Sequence, residues 1–143
     1  IKINMGYPDL ESEKDILSVN SHEKKWDEIS AVLTREEIVD IQNYVENIYV
    51  DESLLDYIIS VSNITRNSEY FDLGVSPRAT ISLKKLSQAR AFLNGRDYCT
   101  PQDVKDMILP AFSHRVVLKS NYAGKDAERS ILNDVINKVA VPV

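Results

Sequence analysis

The sequence is poor in cysteine and glycine and has no long apolar run, and each shortage excludes a class of protein. A single cysteine, Cys99, cannot form an internal disulfide, so a disulfide-stabilised fold is excluded and a reducing, cytoplasmic location is expected. No apolar stretch approaches the roughly 18 residues that span a bilayer, and the first ten residues lack a signal-peptide pattern, so no membrane segment or signal peptide is expected. The four glycines lie far apart, which excludes the glycine-rich phosphate loops G-x-x-x-x-G-K-[ST] and G-x-G-x-x-G.

What the chain does contain is the composition of an ordinary globular protein. It has 143 residues, of which 43% are hydrophobic and 27% are charged. This length suits one domain, or a small domain with an appendage, and the composition excludes wholesale disorder.

Charge is unevenly distributed along the chain. The net charge is −5, which argues against a general nucleic-acid binder. Residues 1–77 carry 6 basic and 16 acidic side chains, whereas residues 78–129 carry 10 basic and 5 acidic ones. The simplest interpretation is two differently solvated surfaces. The asymmetry could also give head-to-tail self-association, or a local anion site in the basic part.

Apolar residues recur at helical spacing almost throughout, so the predicted fold is all-α, a bundle of four or five main helices. Five capping residues predict helix starts: Asp9, Thr34 with Glu37, Asp51, and the two Ser/Thr-Pro pairs. The Ser-Pro helix should end at Gly95, and a last helix is expected over about 126–139. Residues 20–33 are predicted to form a linker or a short helix, and Pro110 to kink or end its helix.

Most residues with chemically reactive side chains have a structural interpretation. Cys99 is expected to be a buried small side chain and not a nucleophile. His114 beside Arg115 should complement the negative end of a helix, and His22 should be solvated. One cysteine and two histidines argue against a zinc site.

Arg78 is the residue that departs from the usual pattern. It would occupy the second position of the helix that begins at Ser76-Pro77, where a cation is unfavourable by about 0.3–1 kcal/mol. Free backbone N–H groups and a guanidinium at the same place suit a phosphate. The residues alone leave open whether Arg78 binds an anion or pairs with a carboxylate such as Asp72.

The motif around Arg78 resembles a known one. Residues 74–79, Gly-Val-Ser-Pro-Arg-Ala, resemble the second-sensor motif G-x-S-P-R of the MoxR family of AAA+ ATPases. Thr65-Arg66 stands where that family often has a Thr-Arg pair. Residues 95–104, with Cys99 for a usual valine, resemble its G-R-D-Y-V-T-P-x-D-V segment, and His114-Arg115 resembles its H-R pair.

The resemblance extends to the beginning of the chain and implies a domain organisation. Residues 1–8 resemble the end of the ATPase core, with a short strand remnant at Ile1–Ile3. Residues 9–33 would be the helix and linker from core to lid, and residues 34–143 the helical carboxy-terminal lid domain. The family's phosphate-binding loop, magnesium-holding acidic motif and arginine finger belong to the core and are not in these residues.

The resemblance also implies site residues, cofactors and partners. Arg78 would be the second sensor that contacts the γ-phosphate of ATP, while Gly74, Ser76 and Pro77 would aim it. The parent protein would use ATP and Mg²⁺, assemble as a ring, commonly a hexamer, and mature client proteins, often of von Willebrand A type. The chain alone should not hydrolyse ATP.

Two alternatives of other classes follow from the residues. A free-standing helical adaptor would bind proteins through its acidic or basic half and need no ATP. A helix-turn-helix DNA reader built on residues 76–115 would use the basic balance there, but the total charge argues against it.

Overall fold

The computed structural model describes residues 1–18, 29–122, 124 and 127–142. Within these residues the chain forms two compact units, one of residues 3–41 and one of residues 1–2 with 42–143. His22, and most of the linker predicted over 20–33, lie outside the described residues. No helix in the described part is both long and apolar enough to cross a membrane.

The unit of residues 3–41 contains α1 (Leu10–Ser18) and the first part of α2 (Arg35–Glu46). Both helices begin at the predicted caps. The Asp9 carboxylate accepts a hydrogen bond from the Ser12 N–H at 2.8 Å. Thr34 and Glu37 exchange the two bonds of a capping box, at 3.1 and 2.7 Å.

The strand predicted at Ile1–Ile3 is absent: residues 1–9 have no regular secondary structure. A β-strand is stable only when its backbone groups pair with a neighbouring strand. The backbone N–H of Lys2 donates instead to the carbonyl of Pro110, at 3.0 Å. The alternating apolar pattern was too short to specify a strand without a partner.

The larger unit is a bundle of α3 (Glu52–Arg66), α4 (Pro77–Leu93), α5 (Pro101–Phe112) and α6 (Ala127–Ile136). Helices α4 and α5 pack most extensively, and α3 contacts all three others. The all-α prediction is therefore confirmed. The largest fully buried side chains in the core are Phe112, Leu83, Ile108, Leu132, Val61, Val75 and Val104.

The helix starts of this unit follow the predicted signals. Asp51, Ser76 and Thr100 are the N-caps of α3, α4 and α5, and proline occupies the first turn of α4 and α5. Gly95 follows α4 with φ +70°, the left-handed value expected after a helix. Pro110 lies inside α5, which ends two residues later.

A small sheet that the sequence analysis did not predict joins two of the connections. Strand β1 (Phe71–Leu73) pairs antiparallel with β2 (Val117–Leu118), opposing Phe71 to Leu118 and Leu73 to Val117. The sheet ties the segment between α3 and α4 to the segment after α5. It thereby brings residues from two distant parts of the sequence to the start of α4.

Candidate functional site

The start of α4 has the local structure that the sequence predicts. Ser76 is extended, with φ −74° and ψ 161°, and its hydroxyl accepts a hydrogen bond from the Ala79 N–H at 3.3 Å. Pro77 begins the helix, and Arg78 follows with an exposed side chain. No acidic residue lies in the first turn, so the positive helix end is not compensated from within α4.

Arg78 does not pair with Asp72. Within the described residues, ion pairs closer than 4.0 Å join Lys85 to Glu46, Arg90 to Asp103 and Asp106, and Arg96 to Asp103. The Arg78 guanidinium takes part in none of them. Of the two interpretations that the residues left open, pairing with a carboxylate is therefore not seen among the described residues.

Gly74 is required by a close approach of two backbone segments. A Cβ atom added at this position would lie 2.6 Å from Cα and N of Arg66 and 2.7 Å from the carbonyl carbon of Thr65. Real Cβ atoms do not approach backbone this closely. The glycine therefore lets the segment before α4 lie directly on the end of α3, and its φ is not in the left-handed region.

The Thr65-Arg66 pair fixes that segment with side-chain hydrogen bonds. The buried Thr65 hydroxyl accepts from the Val75 N–H at 3.1 Å, while Arg66 Nε donates to the Val75 carbonyl at 2.8 Å. Arg66 Nη2 also donates to the Thr80 hydroxyl at 3.2 Å, one turn into α4. The end of α3 thus sets the position of the backbone that carries Arg78. The sequence alone indicated no role for this pair beyond the family resemblance.

The end of α3, the segment before α4 and the first turn of α4 line an open pocket of about 760 Å³. Three arginines line it, Arg66, Arg78 and Arg115, together with one carboxylate, Asp72, and the predicted site residues Gly74 and Ser76. The excess of positive charge suits an anion. The structure therefore gathers three of the four predicted site residues at one pocket, and Pro77 precedes Arg78 in the chain.

Arg115 is a pocket residue that the sequence analysis did not place there. It lies between α5 and β2, 37 residues after Arg78. Its Nη1 is buried and has no hydrogen-bond partner among the described residues. Neighbouring His114 was predicted to supply a positive charge at the helix end. Partial desolvation and the charge of Arg115 lower the pKa of His114, which disfavours that positive charge.

The G-R-D-Y-C-T-P-Q-D-V segment forms a structural network away from this pocket. Buried Asp103 accepts two bonds from Arg96, both 2.7 Å, and completes the capping box of Thr100. Burial alone would raise the pKa of Asp103, but the hydrogen bonds from Arg96 and Thr100 outweigh it and lower the pKa to about 2. The carboxylate therefore stays charged and joins the start of α5 to the residues after α4.

Cys99 lies in the same segment and is buried, as predicted. Burial raises the pKa of its thiol to about 11, so the thiolate that a nucleophile needs is scarce at neutral pH. Among the residues that the structure describes, no group of three or more His, Cys, Asp or Glu side chains could hold a metal ion.

Comparison with known proteins agrees with this geometry. The sequence profile of the AAA lid domain matches residues 63–142, which is more than half of the chain and includes the pocket. The uncharacterized protein YeaC of Bacillus subtilis is 34% identical over 144 residues, covering 99% of this chain and 45% of YeaC. The chaperone MoxR1 of Mycobacterium tuberculosis is 30% identical over 154 residues, covering 99% of this chain and 40% of MoxR1.

A solved structure shares the fold. The crystal structure of a candidate ATPase from Cytophaga hutchinsonii superposes with a TM-score of 0.79 at 28% identity, covering 97% of this chain and 45% of that one. The chain thus spans less than half the length of these relatives. The resemblance to the lid of MoxR-type ATPases, inferred above from short motifs, is confirmed, and the chain belongs to the AAA lid domain family.

Proposed function

We propose that this chain acts as the lid of a MoxR-type AAA+ ATPase and that Arg78 is its second sensor. In this role Arg78 contacts the terminal phosphate of ATP held by the ATPase core. One observation carries the proposal: Arg78 is exposed at the start of α4, beside an arginine-lined pocket, and pairs with no described carboxylate. An arginine left free at a positive helix end is suited to a ligand that carries negative charge.

The neighbouring residues would give Arg78 a fixed position. Ser76 caps the helix and Pro77 begins its first turn. Gly74 permits the segment just before that turn to contact the end of α3. A donor held rigidly before the reaction can stabilise charge on a transferring phosphoryl group without reorganising. After hydrolysis the anionic contact is lost, which would allow the lid to move relative to the core.

The residues described here fit a phosphate but do not fit a complete nucleotide site. The pocket offers cations and no acidic cluster for Mg²⁺ lies in the described part of the chain, so the magnesium and most of the ATP would be held by the core. We therefore propose that the parent protein hydrolyses ATP and that the 143-residue chain alone does not.

The larger assembly is part of the same proposal. Residues 1–8 would end the ATPase core, residues 9–33 would connect it to the lid, and residues 34–143 would form the lid. The parent protein would work as a ring, with hexamers the expected form, in which each lid contacts its own core and a neighbour. Hydrolysis would drive maturation of client proteins, with von Willebrand A domains as the first candidates to test.

The test is ATP turnover by the protein that carries both the core and this chain. Arg78→Ala should lower turnover by about a hundredfold, the usual effect of losing one donor to a reacting group, with nucleotide affinity roughly kept. Arg129→Ala is a matched control, because Arg129 is also an exposed arginine in the first turn of a helix but does not line the pocket. Unchanged turnover in Arg78→Ala would mean that Arg78 is not a sensor and would favour the adaptor alternative.

A further inference from the structure

We infer that Arg115 is a second anion-binding residue of the same pocket, and that Arg78 and Arg115 together bind the terminal part of an oligophosphate. This inference rests on the proposed function and extends it from one arginine to two. Nothing in the short sequence motifs around Arg78 requires a second cation. The fold, however, brings a second arginine to the same pocket.

The small sheet places Arg115 at the start of α4. Leu73 on β1 opposes Val117 on β2, so the residues just before Val117 lie near those just after Leu73. Arg115 is two residues before Val117, and Gly74 directly follows Leu73. As a result, both Arg115 and Arg78 line the 760 Å³ pocket although 37 residues separate them in the chain.

The guanidinium of Arg115 has unused hydrogen-bonding capacity. Its Nη1 is buried without a hydrogen-bond partner, and no ion pair closer than 4.0 Å joins its side chain to a described carboxylate. A buried donor without an acceptor is unfavourable, and few such groups persist in folded proteins. Because Arg115 is only partly buried and lines the pocket, a small rotation of its guanidinium would let an anion there supply the missing acceptor.

The third arginine of the pocket is already used by the protein. Arg66 donates to the Val75 carbonyl, to Asn63 Oδ1 and to the Thr80 hydroxyl, at 2.8, 3.0 and 3.2 Å. Its geometry therefore serves to hold the segment before α4. Arg78 and Arg115 remain as the two pocket arginines with free donors among the described residues.

The charge balance of the pocket also selects an anion. Asp72 is the carboxylate that lines it, and it lies more than 4.0 Å from either guanidinium. Two arginines at one pocket, neither of them in an ion pair, suit a ligand that presents several phosphate oxygens. The terminal phosphates of a nucleotide and a free inorganic phosphate share this chemistry.

The first experiment titrates the 143-residue chain with inorganic tripolyphosphate at low salt and follows binding by calorimetry. Arg115→Gln should weaken the affinity at least about tenfold, which is the usual consequence of losing a charge-assisted donor. Arg78→Gln should do the same, and Arg129→Gln should change little. Wild-type affinity in Arg115→Gln would overturn the inference.

A second measurement does not depend on the folding of a variant. In the wild-type chain, the side-chain Nε–H resonance of Arg115 should shift during the tripolyphosphate titration and saturate with the same Kd as the calorimetric curve. Arg115→Lys assigns the resonance, since it removes that signal while keeping the positive charge. A resonance that does not move at saturation would mean that water alone satisfies Arg115.

The same titrations separate this inference from the proposed function. If Arg78→Gln weakens binding and Arg115→Gln does not, the second residue is wrong and the sensor proposal stands. If Arg115→Gln weakens binding while Arg78→Ala leaves ATP turnover unchanged, the anion site stands and the sensor proposal fails. Orthophosphate as a competitor distinguishes the ligand sources: displacement of tripolyphosphate at equal concentration indicates a site for free phosphate.

Discussion

Replacing Gly74 with alanine tests the central geometric claim about the site. The added Cβ would meet Cα and N of Arg66 at 2.6 Å, about 1 Å closer than ordinary contact. Because these are backbone atoms of a helix and not the tip of a flexible side chain, the segment before α4 has to move. Overpacking of this kind costs about 1–3 kcal/mol, and we expect at least about 2 kcal/mol because the bonds to Val75 would also be strained. At this chain length that lowers the Tm by about 6 °C.

Two other glycines provide controls for the same substitution. At Gly95 an added Cβ meets nothing within 4 Å, but φ is +70°, so Gly95→Ala should cost about 1 kcal/mol through backbone strain alone. At Gly124 the nearest atom is the Ala127 Cβ at 3.7 Å, an ordinary contact, so Gly124→Ala should stay within about 0.5 kcal/mol of wild type.

The assay is urea and thermal unfolding of the three variants, followed by circular dichroism. The expected order of destabilisation is Gly74, then Gly95, then Gly124. In addition, Gly74→Ala should weaken tripolyphosphate binding, because the segment that positions Arg78 moves, whereas Gly124→Ala should leave binding unchanged. A Gly74→Ala variant as stable as Gly124→Ala would refute the close approach, and with it the claim that α3 positions Arg78.

Further predictions concern the network between α4 and α5. Because Asp103 is buried and its pKa falls from 3.8 to about 2, its charged form stabilises the fold by about 2 kcal/mol above pH 4, and this contribution is lost as the pH falls from about 4 to about 2. Asp103→Asn should remove that part of the acid sensitivity and lower the free energy of unfolding by about 3 kcal/mol at pH 7, since Arg96 loses its charged partner. Urea unfolding at pH 7 and pH 3 measures both effects. If the difference in unfolding free energy between the two pH values is the same in Asp103→Asn as in wild type, Asp103 is not the source of the acid sensitivity. Cys99, with a pKa of about 11, should react with iodoacetamide at pH 8 at least about a hundredfold more slowly than it does in 6 M urea, and equal rates would show that the thiol is not buried.

Local signals in the sequence predicted the helices accurately. The N-caps of α1 through α5 were each identified from a residue type and its immediate neighbours, because capping is a short-range interaction between a side chain and N–H groups two or three residues away. The end of α4 at Gly95 was equally local. The strand predicted at Ile1–Ile3 failed for the opposite reason, since pairing needs a partner that no local pattern can supply.

Arg78 could be predicted as a site residue from the sequence, whereas the position of Arg115 at the pocket could not. Arg78 could be found because a cation at a helix start contradicts a local preference. Arg115 follows the end of a helix, where a positive charge is ordinary, and the resemblance of His114-Arg115 to the family's H-R pair indicated no role at the pocket. The two-residue strand that carries it to the pocket was also too short to predict.

By itself, the sequence therefore determined the all-α class, the helix starts, the family resemblance and the candidate arginine, because each depends on residues close together in the chain. Only the tertiary structure decided that Asp72 leaves Arg78 unpaired, that Gly74 is needed for contact with α3, and that Arg115 shares the pocket. These depend on distances between residues up to 49 positions apart, such as Arg66 and Arg115, which are fixed by how α3, α4 and the small sheet pack. Packing of this kind leaves no periodic or local mark in the sequence.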